Sequence, residues 1–263
     1  MRRPAVAGTF YPSRKEELER MLRKFTNPKK DEKVVACISP HAGYIYSGKT
    51  AGMVHSLLPD AETFVIVCPN HTGLGLPVAV SKDIWLTPLG RVESDLEFIK
   101  AMPKKIVAED EEAHIEEHSG EVQIPFLQFL HSNFKIVVIC LRLQDEDTAK
   151  DVAEEIIEAE QKTGKKIVLI ASSDMHHYLS DAECRKRDKA VIDAILSMDV
   201  SKYYKKIYEM DASVCGYGAI AVAMHYAREK NAKAELVDYS TSGDVADKHF
   251  VVGYAGIVFR AQD

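Results

Sequence analysis

Three apolar runs in this chain end in the same way, and that limits its fold more than any other feature. Val34-Val35-Ala36-Cys37-Ile38 leads into Ser39-Pro40-His41, and Thr63-Phe64-Val65-Ile66-Val67-Cys68 into Pro69-Asn70-His71. Lys166-Ile167-Val168-Leu169-Ile170-Ala171 leads into Ser172-Ser173-Asp174-Met175-His176-His177. A fourth run, Glu235-Leu236-Val237-Asp238-Tyr239, leads into Ser240-Thr241-Ser242-Gly243-Asp244, which brings a carboxylate and no imidazole. Short, continuous apolar runs suit strands buried on both faces. Ligands of open α/β sheets bind beyond the carboxyl ends of such strands. Four separate stretches therefore deliver His, His, Asp plus His, and Asp to the edge where such a fold keeps its chemistry.

Segments of helical spacing lie between these runs. Residues 16–25 place Leu18, Met21, Leu22 and Phe25 on one face, and 49–58, 94–102, 119–130, 146–161, 181–198 and 215–230 continue the helical set. Ser94 and Ser119 are candidate N-caps, and Thr163-Gly164 is a stop signal. Residues 135–141 form another buried-strand candidate, and 76–80 with 83–87 suggest a short hairpin outside the main sheet. The alternation predicts an α/β fold: a single domain over residues 1–263 with a mostly parallel or mixed central sheet and helices on both faces.

Bulk properties exclude several functions. Lys plus Arg number 34 against 40 Asp plus Glu, a formal charge of -6 with the signs interspersed, so there is no basic footprint for nucleic acid. No long apolar span and no signal-peptide core are evident, which predicts a cytosolic protein without a membrane segment. The five cysteines stand singly, and no C-x-x-C pair occurs, which argues against a disulfide framework or a zinc ribbon.

Gly43 to Thr50 fits G-x-x-x-x-G-K-[ST] letter for letter. Its context argues against a nucleotide site: Pro40-His41-Ala42 separates it from the strand, and Tyr44, Ile45 and Tyr46 crowd the cradle. In the plainer reading Ser47 caps the next helix and Lys49 is a solvated helix residue. His41, His71 and Asp244 instead form a candidate metal site of two imidazoles and a carboxylate, a set that suits non-haem Fe(II) and is also taken by zinc. Of Asp174, His176 and His177 only some can face one pocket, and a histidine there, oriented by a carboxylate, is a candidate general base. His118 and Glu121 are candidates to hold the metal ligands by hydrogen bonds. Cys215-Gly216-Tyr217-Gly218 reads as a tight strand–helix packing device, since the third glycine of a dinucleotide turn is missing.

Taken in order, Pro40-His41-Ala42-Gly43-Tyr44, Asn70-His71, His118-Ser119-x-Glu121, Ser172-Ser173-Asp174-x-x-His177 and Cys215-Gly216 make the chain resemble the Memo family over nearly its whole length. Ala5-Val6-Ala7-Gly8-Thr9-Phe10-Tyr11-Pro12 and Val252-Gly253-Tyr254-Ala255 add to the likeness. The resemblance implies a fold similar to class III extradiol ring-cleaving dioxygenases, whose non-haem iron uses two histidines and an acid. It selects His177, three residues after Asp174, as the pocket histidine. In animal members the third metal-site residue is a cysteine near the C-terminal end. Here that neighbourhood reads Ser242-Gly243-Asp244-Val245, so ligand chemistry makes Asp244 the expected replacement.

The expectation is thus a metal-dependent oxidoreductase of dioxygenase type acting on a small molecule. His41, His71 and Asp244 would hold Fe(II), with zinc or copper compatible, and His177 and Asp174 would handle protons. The alternatives are a binding protein without turnover and a metal-assisted hydrolase. Prokaryotic members of the family are linked by gene fusion or neighbourhood to radical-SAM and Ammecr-type proteins, which are the expected partners.

Overall fold

A computed structural model describes residues 1–262. In chain order the elements are α1 (Lys15–Phe25), β1 (Val34–Ser39), α2 (Tyr44–His55), β2 (Thr63–Pro69), β3 (Val78–Ser81), β4 (Trp85–Thr87), β5 (Gly90–Val92), α3 (Leu96–Ala101) and β6 (Ala108–Glu109). Then follow α4 (Ile124–Leu130), β7 (Lys135–Leu141), α5 (Glu146–Thr163), β8 (Ile167–Ser172), β9 (His177–Leu179), α6 (Asp181–Leu196), α7 (Val200–Glu209), α8 (Tyr217–Glu229), β10 (Ala232–Thr241) and β11 (Val251–Ala261).

The main sheet runs β10-β11-β1-β8-β2-β7-β3-β6, with β9 paired to β11. Its centre, β1-β8-β2-β7, is parallel throughout, and β11 and β3 flank it antiparallel. The sheet is therefore mixed, and the three strands that end in His41, Asp174 and His71 point the same way and lie side by side. Successive strand residues feed opposite cores, because side chains alternate across a sheet. Val65, Val67, Leu169 and Ala171 face α3 and α5–α8, whereas Phe64, Ile66, Val168 and Ile170 face α2 and α4. Helix α5 shows why such segments are helical: Asp145 accepts the Thr148 amide at its start, Val152 and Ile156 are buried one turn apart, and left-handed Gly164 (φ 66°) ends it. Among the described residues no helix is long and apolar enough to cross a membrane.

Several sequence expectations change. The residues of the phosphate-loop pattern form the N-cap and first turns of α2, where the Tyr44 amide donates to the Phe10 carbonyl and the Tyr46 and Ser47 amides to the Gly43 carbonyl rather than converging on a phosphate. Lys49 is an exposed helix residue, as the plainer reading expected, but Ser47 lies inside that helix rather than at its cap and donates to the Ala42 carbonyl at 2.9 Å. Gly48 and Gly52 let α2 close on α1: a Cβ at Gly48 would meet the Phe25 ring at 2.6 Å, and one at Gly52 would strike the Phe25 carbonyl. The hairpin is β4–β5, whereas residues 78–81 join the main sheet beside β7. Asp95 caps α3 in place of Ser94. Helix α7 has no counterpart among the expected helices.

Arg2 and Glu121 fasten the N-terminal segment. The buried Arg2 guanidinium bonds the Glu121 carboxylate (2.7 Å) and the carbonyls of His114 (2.7 Å) and Glu117 (2.6 Å), and lies 4.2 Å from the Trp85 ring centroid. Glu121 also accepts the amides of Ala5 and Val6 and the Tyr11 hydroxyl.

Two substitutions test this packing by urea unfolding. Gly52→Ala should cost about 1–3 kcal/mol, because a backbone carbonyl must move to admit the methyl group. Arg2→Met should cost about 3 kcal/mol, because it strips a buried carboxylate of its charge partner.

Candidate metal centre

Parallel pairing of β1, β8 and β2 sets His41, Asp174 and His71 in a row at one sheet edge. Cys215, at the start of α8, closes the group from the helix side. Gly216 permits that approach: a Cβ there would meet the Ser172 carbonyl at 2.5 Å, and its amide donates to Ser173 Oγ at 3.0 Å. The packing device read from Cys215-Gly216 therefore also delivers a thiol. One ligand atom from each of His41, His71 and Cys215 lies within 4.8 Å of the others, close enough to share a metal ion. Cys215 Sγ is 3.2 Å from His41 Nε2.

Hydrogen bonds decide which ring nitrogens are free. His71 Nδ1 is 2.9 Å from Glu117 Oε1, and a carboxylate only accepts, so Nδ1 carries the proton and Nε2 keeps its lone pair. Such a carboxylate–histidine pair is a common support for a metal ligand. Glu117 also accepts the His71 amide (2.5 Å), the Ser119 amide (2.9 Å) and the Ser119 hydroxyl (2.7 Å). Burial alone would raise the Glu117 pKa, but these donors and the His71 charge outweigh it and hold the carboxyl at about 2. For His71, burial pulls the pKa down while Glu117 pulls it up, and the net shift is upward.

His41 is almost fully buried, and burial followed by its neighbours His118, His71 and His177 holds it well below the ordinary imidazole range. It is a neutral ring. Burial and the Asp174 charge push the Cys215 thiol up, so the thiolate that a metal needs forms only when a cation displaces the proton. The Asp174 amide already donates to Cys215 Sγ at 3.2 Å.

The Asp174 carboxylate accepts the His41 amide at 2.8 Å, and burial lifts its pKa to about 6. His177 donates Nδ1–H to the Ser213 carbonyl (2.7 Å), which leaves Nε2 as an acceptor. Both residues line the cleft, of about 840 Å³, together with His41, His71, His118 and Cys215. The His118 ring lies 4.8 Å from that of His71 and 4.8 Å from that of Phe10, which walls the cleft. His176 points elsewhere: it is buried against Asp188 at 2.7 Å.

Two expected roles require correction. Asp244 follows β10, which lies on the far side of β1 from β2 and so four strands from the one that ends in His71, with adjacent strands about 4.8 Å apart. Its carboxylate is occupied: one oxygen accepts from Arg185 (2.6 Å) and the other from the Thr241 amide (3.0 Å). It belongs to neither potential metal group found among the described residues, His41 with His71 and Cys215 or His71 with Glu117 and His118. Glu121 fastens the N-terminal segment, and the carboxylate that bonds His71 is Glu117, four residues earlier. The sequence offered a signal for Glu117, since it adjoins His118 in the stretch already singled out. Cys215 also stood in view, but only tertiary packing brings it to His41.

Glu117→Gln should weaken metal binding about 10–100-fold, measured by titration of the metal-free protein, and Asp244→Ala should leave it unchanged.

The sequence profile of the Memo family, described as Memo-like protein, matches residues 2–258. A MEMO1 family protein of Archaeoglobus fulgidus is 72% identical over 260 residues, spanning 99% of this chain and 100% of the relative. Similar proteins of Methanococcoides burtonii and Thermococcus kodakarensis are 48% and 42% identical, each over 99% of this chain and over 100% and 99% of the relatives. An uncharacterised protein of Escherichia coli K12 has a similar solved structure, with a TM-score of 0.53 and 10% identity over 85% of this chain and 98% of that one, a likeness of fold alone.

Proposed function

The chain belongs to the Memo family, and we propose that within it this protein is a metal-dependent oxidoreductase that holds Fe(II) between His41, His71 and Cys215. One observation carries the reading: three potential ligand atoms lie within 4.8 Å of one another, and the His71 tautomer fixed by Glu117 leaves Nε2 as its free donor. Two imidazoles and a thiolate form a softer set than two imidazoles and a carboxylate, so copper and zinc compete with iron for it. Bound Fe(II) would supply one-electron redox chemistry and open coordination positions.

The remaining work falls to the chain. His177, with Nδ1–H tied to Ser213, can accept a proton at Nε2 from a substrate hydroxyl in the cleft. Asp174, whose pKa is raised to about 6, can hold or release a proton near neutrality. Phe10, Tyr46, Tyr178, Phe250 and Tyr254 line the way in and favour a ligand with a flat or apolar body. A binding protein without turnover is the second reading. It is favoured by Tyr178 and Phe250, which stand 73% and 76% exposed at the rim, where a larger partner would cover them.

Elemental analysis of protein purified without oxygen tests the proposal. Stoichiometric iron is expected in the wild type, with loss in His41→Ala, His71→Ala and Cys215→Ala and retention in Asp244→Ala. Oxygen uptake with small aromatic or apolar hydroxyl compounds would then separate enzyme from binder. A wild type that takes up no metal after reconstitution would sink the metal reading. Affinity should also fall as the pH drops into the range where His71 protonates, which its shift places above the ordinary 6.5, because metal and proton compete for Nε2.

A further inference from the structure

Behind His41 runs a buried chain of hydrogen bonds whose every proton can be assigned. His55 Nε2 lies 2.9 Å from Gln123 Oε1, Gln123 Nε2 lies 2.9 Å from Ser172 Oγ, and Ser172 Oγ lies 2.9 Å from His41 Nδ1. Gln123 Nε2 also donates to the Pro40 carbonyl at 3.1 Å, so the amide cannot be turned over without setting oxygen against oxygen. That orientation obliges His55 to donate from Nε2. The ring is neutral, its pKa lowered to about 4 by burial, so it has this one proton to give.

Ser172 Oγ is the junction. It has one proton and two lone pairs, and three neighbours. The Ser119 carbonyl, 2.7 Å away, can only accept and takes the proton. The Gln123 amide can only donate and fills one lone pair. What remains for His41 is the second lone pair, so Nδ1 must be the protonated nitrogen.

We propose that Ser172 and Gln123 are positioning residues that select the tautomer of His41 and so turn its bare Nε2 towards Cys215. The inference rests on the reading of His41 as a metal ligand, but the tautomer exists without metal and can be observed without it. If the Ser172 hydroxyl is removed, Nδ1–H becomes a buried donor without an acceptor, which is costly. The other tautomer is then favoured, because its Nε2–H can donate to Cys215 Sγ at 3.2 Å. If the Gln123 amide is removed, nothing fills that lone pair of Ser172 Oγ, and the hydroxyl can divide its proton between the Ser119 carbonyl and Nδ1. The first change places the His41 proton on Nε2, the nitrogen a metal needs, and the second does so in part.

Metal-free protein labelled with nitrogen-15 in its histidines, studied by long-range proton–nitrogen correlation above pH 7, reads the tautomer directly. The wild type should show His41 protonated at Nδ1 alone. Ser172→Ala should shift it largely to Nε2–H, Gln123→Met should give a mixture, and Ser172→Thr, which keeps the hydroxyl, should restore the wild-type pattern. A pure Nδ1–H signal in both Ser172→Ala and Gln123→Met would overturn the inference. Titration with Co(II) gives a second arm: binding should weaken about 10–100-fold in Ser172→Ala and Gln123→Met and recover in Ser172→Thr. Shifted tautomers in the variants, with a wild type that binds no Co(II), would uphold the tautomer selection and remove the metal reading. Unshifted tautomers in the variants, with a wild type that binds Co(II), would do the reverse.

Discussion

Parallel pairing of β8 between β1 and β2 is the constraint on which the site depends. Three strands that point the same way present their carboxyl ends together, and lateral spacing of about 4.8 Å sets His41, Asp174 and His71 within reach of one another. Such pairing requires crossover connections, and these supply the helices that bury both faces. Helix α8, which comes after β8 and leads into β10, carries Cys215 against the end of β8. The core and the cleft thus arise from the same topology: the apolar register fixes the strands, and the strands fix the row of polar groups at their ends.

Low dielectric then shapes the chemistry. Burial keeps His41 neutral and Cys215 protonated, and it would raise the pKa of Glu117 had the fold not surrounded that carboxylate with donors. An imidazole in its neutral form has one proton, so its hydrogen-bond neighbours determine where it sits. Glu117 settles the matter for His71 and Ser172 for His41, while the Ser213 carbonyl settles it for His177. The lone pairs that face the cleft follow from groups outside it.

Local pattern and long-range packing differ in what they disclose. The strand ends at His41 and His71 could be read directly, because an apolar run followed by a histidine is a local signal. The phosphate-loop string was local too, yet its residues prefer helix and close on α1 through Gly48 and Gly52. Asp244 was chosen for its ligand chemistry at the end of a strand, but that strand lies four places from the one that ends in His71, and Arg185 takes the carboxylate. Glu121 and Glu117 lie four residues apart in the chain, and only the path of the N-terminal segment assigns the first to Arg2 and leaves the second to His71.

The sequence by itself determined the α/β class, the burial of the central strands and the presence of histidines at their ends, since these rest on periodicity and on residues adjacent in the chain. It also carried the motifs that the family shares. Strand order was decided only in three dimensions, and with it the arrival of Cys215 rather than Asp244 beside His41 and the proton positions on His41 and His71. Each of those depends on which distant residue arrives beside another, and hydrogen-bond direction at a buried ring is set by its neighbours in space.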